Sequence, residues 1–494
     1  MTGEMRENRS RATGKNWREG VGQIILPGAF LAFFGILWYI SPVGIYPDSG
    51  SYVSMQNGRE PLYPLFLAFF RFIFREPDTI VWLAGSGQLD SEKAMELITT
   101  WPALRVAMFV QSMAAGLACC YLTRVIQKTF SLSPPLTGLT GLCTLIPYVL
   151  TPLASSSHMV LNKAVLTEGL TFPLSAVFTG CMVQGLFAQE KKVRYYGAAF
   201  IWSFLLTLTR NQMLVTFAVW LAVVMFEFIR CRKWKMLLFP VLGFVVFFGG
   251  RAVCNGIYNG LTHEGYTGAA TGSYNLLTTL LYLSDREDSA LLMDEAQRRL
   301  FLEMHDQMET EGMTRAYAPD GILNQAYHYE EYYDRIGFEI QQPCLFDYAQ
   351  AQGIPDGEAL NYVVGIASQM DRVLFPALAG AYLSNYTASV LSGLTRSVAA
   401  SGMIMGIYAA CMYALAVALT ICLLRRDRSS RGALLMLFAL LMICANVCAT
   451  ALMIMCLSRY MIYHTALFYI AGLMCLVEAA GPYMKKRKDK SHGL

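Results

Sequence analysis

The chain has 494 residues, 55% hydrophobic and only 15% charged, with a mean hydropathy of +0.40. Soluble domains carry roughly 25% charge, so a disordered chain and a soluble multidomain enzyme are excluded. The formal net charge of +4 is too small and too dispersed for a nucleic-acid binder. The pattern reads as an all-α polytopic membrane protein.

A helical span needs about 20 mainly apolar residues. About ten segments (9–12 at the limits) meet or approach this: roughly 22–41, 103–123, 136–153, 165–188, 195–208, 212–229, 236–250, 401–424, 432–456 and 460–481. The first has a long apolar run with no small-residue cleavage site after it, so it reads as a span rather than a signal peptide. In the loop 42–102, Leu62 to Phe74 is too short to span and carries Arg71 before Arg75; it reads as an interfacial helix. The insert 251–400 holds 19 acidic and 8 basic residues and is rich in Tyr and Gln, so it reads as a mostly helical, soluble-like domain with an amphipathic helix around Ala290–Met308. The chain thus divides into an N-terminal transmembrane core (1–250), the insert (251–400), and C-terminal helices with a basic tail (401–494).

Basic residues set the sidedness. Most of the 39 lie in the N-terminal tail, in alternate short turns such as Lys191/Lys192/Arg194 and Arg425/Arg426/Arg428/Arg431, and in the C-terminal Lys485–Lys490 cluster. With ten spans, both termini are expected in the cytoplasm of a plasma (inner) membrane, and the loop 42–102 and the insert face outward. The thirteen cysteines show no metal-ligand spacing. Cys254 and Cys344, the two in the insert, are disulfide candidates, and Asn385-Tyr386-Thr387 is an outward sequon.

Ionisable residues at membrane depth are functional candidates by default, and here they share the outer rim. Asp48 follows the first span in Tyr46-Pro47-Asp48-Ser49-Gly50. Arg59 lies in Gly58-Arg59-Glu60-Pro61-Leu62-Tyr63-Pro64; His158, Asn162, Lys163 and Glu168 crowd the entrance to the fourth span. Arg210-Asn211 and Ser458-Arg459-Tyr460 form tight outer turns. Each has a plainer reading. Pro-Asp-Ser-Gly suits a turn, arginines snorkel to headgroups, Glu168 suits a helix start, and His158 suits a loop.

In these motifs the chain resembles the membrane glycosyltransferases of the GT-C superfamily, especially the polyprenyl-phosphate-sugar-dependent branch that includes protein mannosyltransferases and aminoarabinose transferases. The resemblance is carried by Asp48 with the 58–65 run, by Leu166-Thr167-Glu168-Gly169-Leu170, by Leu208-Thr209-Arg210-Asn211, and by Ser458-Arg459-Tyr460. It covers about residues 20–250 and 400–480 and leaves the insert unmatched. It implies a GT-C fold and an inverting transfer, on the extracytoplasmic face, of a sugar from a polyprenyl-phosphate donor to a glycan, lipid or protein acceptor. Asp48 would be the catalytic base, Arg210, Arg459, Arg59 and Lys163 would bind the donor phosphate, and Glu168, His158, Tyr63 and Tyr460 would contact substrate. The family often carries Asp-Glu where this chain has Asp48-Ser49, so one carboxylate is carried over, and neither a metal nor another cofactor is expected.

The chemistry suits these residue types. A carboxylate accepts the acceptor's proton, and the arginine fork holds a leaving phosphate with paired hydrogen bonds. Two other readings stand beside this one: an O-antigen ligase- or polymerase-like enzyme, and a lipid-linked oligosaccharide flippase or transporter. Transporters commonly show an internal repeat and charges at the membrane midplane; this sequence shows neither.

Overall fold

A computed structural model describes residues 24–46, 48–56, 58–76, 99–154, 158–232, 234–262 and 272–491. Among these the chain is helical, with a single isolated parallel β-bridge, Gly44 to Ala164. It forms two compact units. One comprises the described residues of Met1–Ser54, Leu62–Pro152 and Met159–Thr209; the other comprises those of Met55–Pro61, Leu153–His158 and Arg210–Leu494.

The first unit contains α1 (Ile24–Ile40), α2 (Ser49–Val53), α3 (Leu62–Phe74), α4 (Pro102–Phe130), α5 (Pro134–Ala154), α6 (Glu168–Phe187) and α7 (Lys192–Thr209). Small residues on α6 let it approach α4 closely, as membrane helices require. A Cβ at Gly180 would stand 2.5 Å from the Tyr121 ring, and one at Gly169 would stand 2.4 Å from the Gln111 amide. The α3 helix forms where its apolar run predicts. Phe69, Phe72 and Ile73 are exposed, while Arg71 turns inward, donates to the Val53 carbonyl at 2.8 Å and lies 5.6 Å from the Trp101 ring. Arg71 therefore ties the loop together.

The second unit contains α8 (Leu214–Arg230), α9 (Leu238–Thr262), α10 (Gly272–Leu283), α11 (Glu295–Thr310), α12 (Ile322–Arg335), α13 (Gln342–Ala351), α14 (Asp356–Val398), α15 (Met403–Arg426), α16 (Arg431–Ala451), the short α17 (Ser458–Met461) and α18 (Thr465–Ser491). The insert is helical, as expected, and has its own core, in which Leu277, Leu280, Phe301, Met304, Leu345 and Met370 are all fully buried. Its amphipathic helix starts later than the sequence reading. Asp294 caps α11 by accepting from the N–H groups of Ala296 and Gln297 at 2.8 and 3.2 Å, and 286–291 is a separate 3₁₀ turn. The 43-residue α14, about 65 Å long at 1.5 Å per residue, runs from this core to the C-terminal helices.

Among the described residues, eight helices are long and apolar enough to cross a membrane: 102–130, 134–153, 168–187, 211–230, 234–262, 403–426, 431–451 and 458–480. This is consistent with a polytopic membrane protein. Two of the ten expected spans fall short. The described part of the first, α1, is 17 residues long, and α7 starts with Lys192 and Arg194 and is not apolar enough. The seventh, expected to end near 250, continues as one helix to Thr262, which places Arg251 and Cys254 on α9 rather than in the insert. Cys254 and Cys344 are both free thiols. The sequon is not an accessible loop, because Asn385 lies on α14 and is buried.

Candidate functional site

The first unit organises the segment that carries Asp48. Asp48 precedes α2, but its carboxylate does not cap that helix; its carbonyl accepts from Ser51 Oγ at 2.7 Å. Ser49 closes the turn instead, its hydroxyl accepting from the Tyr46 N–H at 2.9 Å. Asp48 is half-buried. The strand-like residues before it are pinned to the entrance of α6: Gly44 N–H donates to the Lys163 carbonyl, and Val165 N–H donates to the Gly44 carbonyl, both at 2.9 Å.

That entrance is held rigidly from α4. Gln111 Nε2 donates to the carbonyls of Asn162 and Ala164, each at 3.1 Å, and Asn162 Nδ2 donates to Ser112 Oγ at 2.8 Å. Gly169 is required here, since any side chain would collide with the Gln111 amide. Lys163 is buried with its ammonium 5.0 Å from the Trp38 ring, a cation–π contact. Burial, and then the charge of Arg105, lower its pKa. Glu168 opens α6 fully buried and accepts from Thr167 Oγ1 at 3.1 Å; a carboxylate is stabilised at a helix N-terminus. Tyr63 is fully buried, edge-on to Tyr52 at 5.4 Å and within electrostatic reach of Glu168. Its ring packs within the loop.

The second unit gathers arginines. Tyr460, buried, has the Arg210 guanidinium 4.1 Å and the Arg459 guanidinium 4.8 Å from its ring centroid, and Arg459 Nη2 donates to its hydroxyl at 2.6 Å. Two turns some 250 residues apart in sequence are thus joined at one aromatic ring. Polar side chains at the ends of spans fix that ring. The Tyr460 carbonyl accepts from Asn446 Nδ2 at 2.9 Å and from Gln212 Nε2 at 3.1 Å, and Gln212 also reaches Asn446 Oδ1 and Thr450 Oγ1. Beside this cluster, Arg251 donates to Glu60 Oε1 at 2.8 Å and also bonds Asn211, so the neighbours of Arg59 and Arg210 meet on α9. Burial, the largest influence, raises the Glu60 pKa even though Arg251 lowers it. His158 is exposed, on left-handed backbone at φ 49°.

A second buried pair stands behind the Arg459 loop. Glu330 on α12 ion-pairs with Arg396 on α14 and accepts from Ser392 Oγ at 2.8 Å. Arg396 Nη1 donates to the Cys456 carbonyl at 3.0 Å, two residues before Ser458. At Gly393 a Cβ would stand 3.1 Å from Cys456 Sγ and 3.1 Å from Met461 Sδ, so α14 lies directly against the loop.

Sequence reasoning missed Glu60, Arg251, Gln212, Asn446, Glu330 and Arg396. A signal existed for two of them: Gln212 and Asn446 interrupt apolar spans, where an amide needs a partner. Among the described residues no group of three or more His, Cys, Asp or Glu is placed to hold a metal ion. No family model, no curated protein and no solved structure matches this chain.

Proposed function

We propose that the chain is an integral membrane glycosyltransferase of the inverting type, taking its sugar from a polyprenyl-phosphate donor on the extracytoplasmic face, with both termini in the cytoplasm. The observation that supports this best is the pair of arginines on the Tyr460 ring. Guanidinium groups from two distant turns converge on this one ring, which suits an anion that can accept from both. A phosphate monoester or diester has the oxygens to do so.

On this reading the acceptor hydroxyl attacks the anomeric carbon, and the bond from that carbon to the phosphate oxygen breaks. Asp48 accepts the hydroxyl proton, and Arg210 and Arg459 stabilise the phosphate as its charge grows. Stabilisation of this kind by fixed donors is commonly the largest catalytic contribution. Arg59 supplements the arginine pair. Lys163 and Glu168 are buried and hydrogen-bond-tethered in the Asp48 corner, so they set its shape and charge.

The test is binding of the product. Undecaprenyl phosphate should raise the melting temperature of the purified protein in detergent, and Arg459→Gln should remove most of that rise. If undecaprenyl phosphate stabilises neither protein, or both equally, the proposal fails.

A further inference from the structure

The insert carries a cleft that the transfer chemistry does not use. It has a volume of about 230 Å³ and lies between the N-terminus of α11, the helix α13 and the first half of α14. Its floor is apolar: Leu300 and Ile366 are buried beneath it, with Ala296 beside them. Its rim is polar and aromatic, formed by Asp294, Gln297, Tyr348, Tyr362 and Gln369. The rim groups are organised among themselves. Gln297 Nε2 donates to Gln369 Oε1 at 2.6 Å, and Asp294 Oδ1 is fixed by its two backbone N–H donors.

This lining discriminates between ligand classes. None of the lining residues is Lys or Arg, so a phosphate or carboxylate finds no cation. The cavity is smaller than the roughly 300–1,000 Å³ of drug-sized sites. Carboxamides offer donor and acceptor together, and the carboxylate offers acceptors. Phenol rings offer an apolar face with a polar tip. A pyranose ring has the complementary form: an apolar C–H face for the floor and rings, and a hydroxyl rim for the amides and Asp294.

We propose that this cleft binds one neutral sugar ring. Its assignment as an acceptor subsite rests on the glycosyl-transfer reading, whereas sugar binding itself does not.

Gly365 supplies a clean test. It lies on α14 in the cleft wall, and a Cβ there would meet nothing within 4 Å. A Cβ is accommodated there, so Gly365→Phe should place its ring in the cleft and Gly365→Ala should leave it open; both remove a helix-interior glycine. The probes are methyl α-mannopyranoside, methyl β-glucopyranoside and N-acetylglucosamine, titrated in the millimolar range against the full-length protein in nanodiscs. Saturation transfer from protein to sugar is the readout, and melting curves confirm that both variants fold. At least one probe should bind the wild type and Gly365→Ala alike, and at least tenfold more weakly to Gly365→Phe. The proposal is overturned if no probe binds the wild type, or if Gly365→Phe binds as well as the wild type. Donor turnover without sugar binding would sink the cleft alone, and sugar binding without donor turnover would leave the cleft standing and sink the transfer reading.

Discussion

The two charged clusters of this protein are built on opposite plans. In the first unit, Lys163 and Glu168 each have a local neighbour: Lys163 lies on Trp38, Glu168 accepts from Thr167, and the backbone around both is locked by Gln111 and by the Gly44 bridge. In the second unit, two like charges share one ring, and the ring is held by amides from distant helices. The first plan fixes a geometry. The second concentrates positive charge, which an anionic ligand can use.

That contrast can be broken from either side, and the largest effect is expected at Asp48. Asp48→Asn keeps the size of the side chain, so it should fold and insert normally while losing about 10²–10⁴-fold in transfer, the usual range for a lost acid–base group. Near-normal transfer by this variant would remove Asp48 from the mechanism. Glu330→Gln leaves Arg396 buried without its charge partner, and breaking such a pair costs about 3–5 kcal/mol. A pronounced drop in melting temperature is expected, and an unchanged melt would mean that the pair does not hold the Cys456 carbonyl. Arg459→Gln should slow transfer by about 10²–10³-fold with little change in melting temperature, a separation of activity from stability that a purely structural arginine would not show.

Smaller effects are expected on stability in both units. Gly169→Ala pushes a methyl group into the Gln111 amide, and overpacking of this kind costs about 1–3 kcal/mol; a melting temperature equal to the wild type would show that the α4–α6 contact gives way. In the insert, burial raises the Asp371 carboxyl to about 7 from an ordinary 3.8, against the opposing pull of the Ser273 hydroxyl. An acid whose folded pKa is raised holds its proton more tightly when folded. Its contribution to stability is thus largest in acid and falls as pH rises from about 4 to about 7. Asp371→Asn should flatten that part of the pH–melting profile, and an unaltered slope would show that Asp371 does not titrate there.

The sequence made the helical class, the helical insert and the short apolar helix Leu62–Phe74 legible, because each depends on local apolar period and length. One span boundary was not legible: the pattern around Gly249-Gly250 suggests an end, but α9 continues to Thr262. The motifs Leu208-Thr209-Arg210-Asn211 and Ser458-Arg459-Tyr460 stand far apart in sequence, and only the fold shows that both lean on one tyrosine ring. Arg251 and Glu60 pair across 191 positions, a contact for which no local pattern exists. Nor does any local pattern show that Tyr63, whose substrate contact is implied by the resemblance, is fully buried.

The central claim is donor cleavage, and it is tested most directly by mass spectrometry of lipid extracts. The wild type in proteoliposomes, given a polyprenyl-phosphate-linked sugar and a crude envelope acceptor fraction, should release free polyprenyl phosphate over time, and Asp48→Asn should not. Donor that stays intact with the wild type, or equal release from both proteins, would contradict the account.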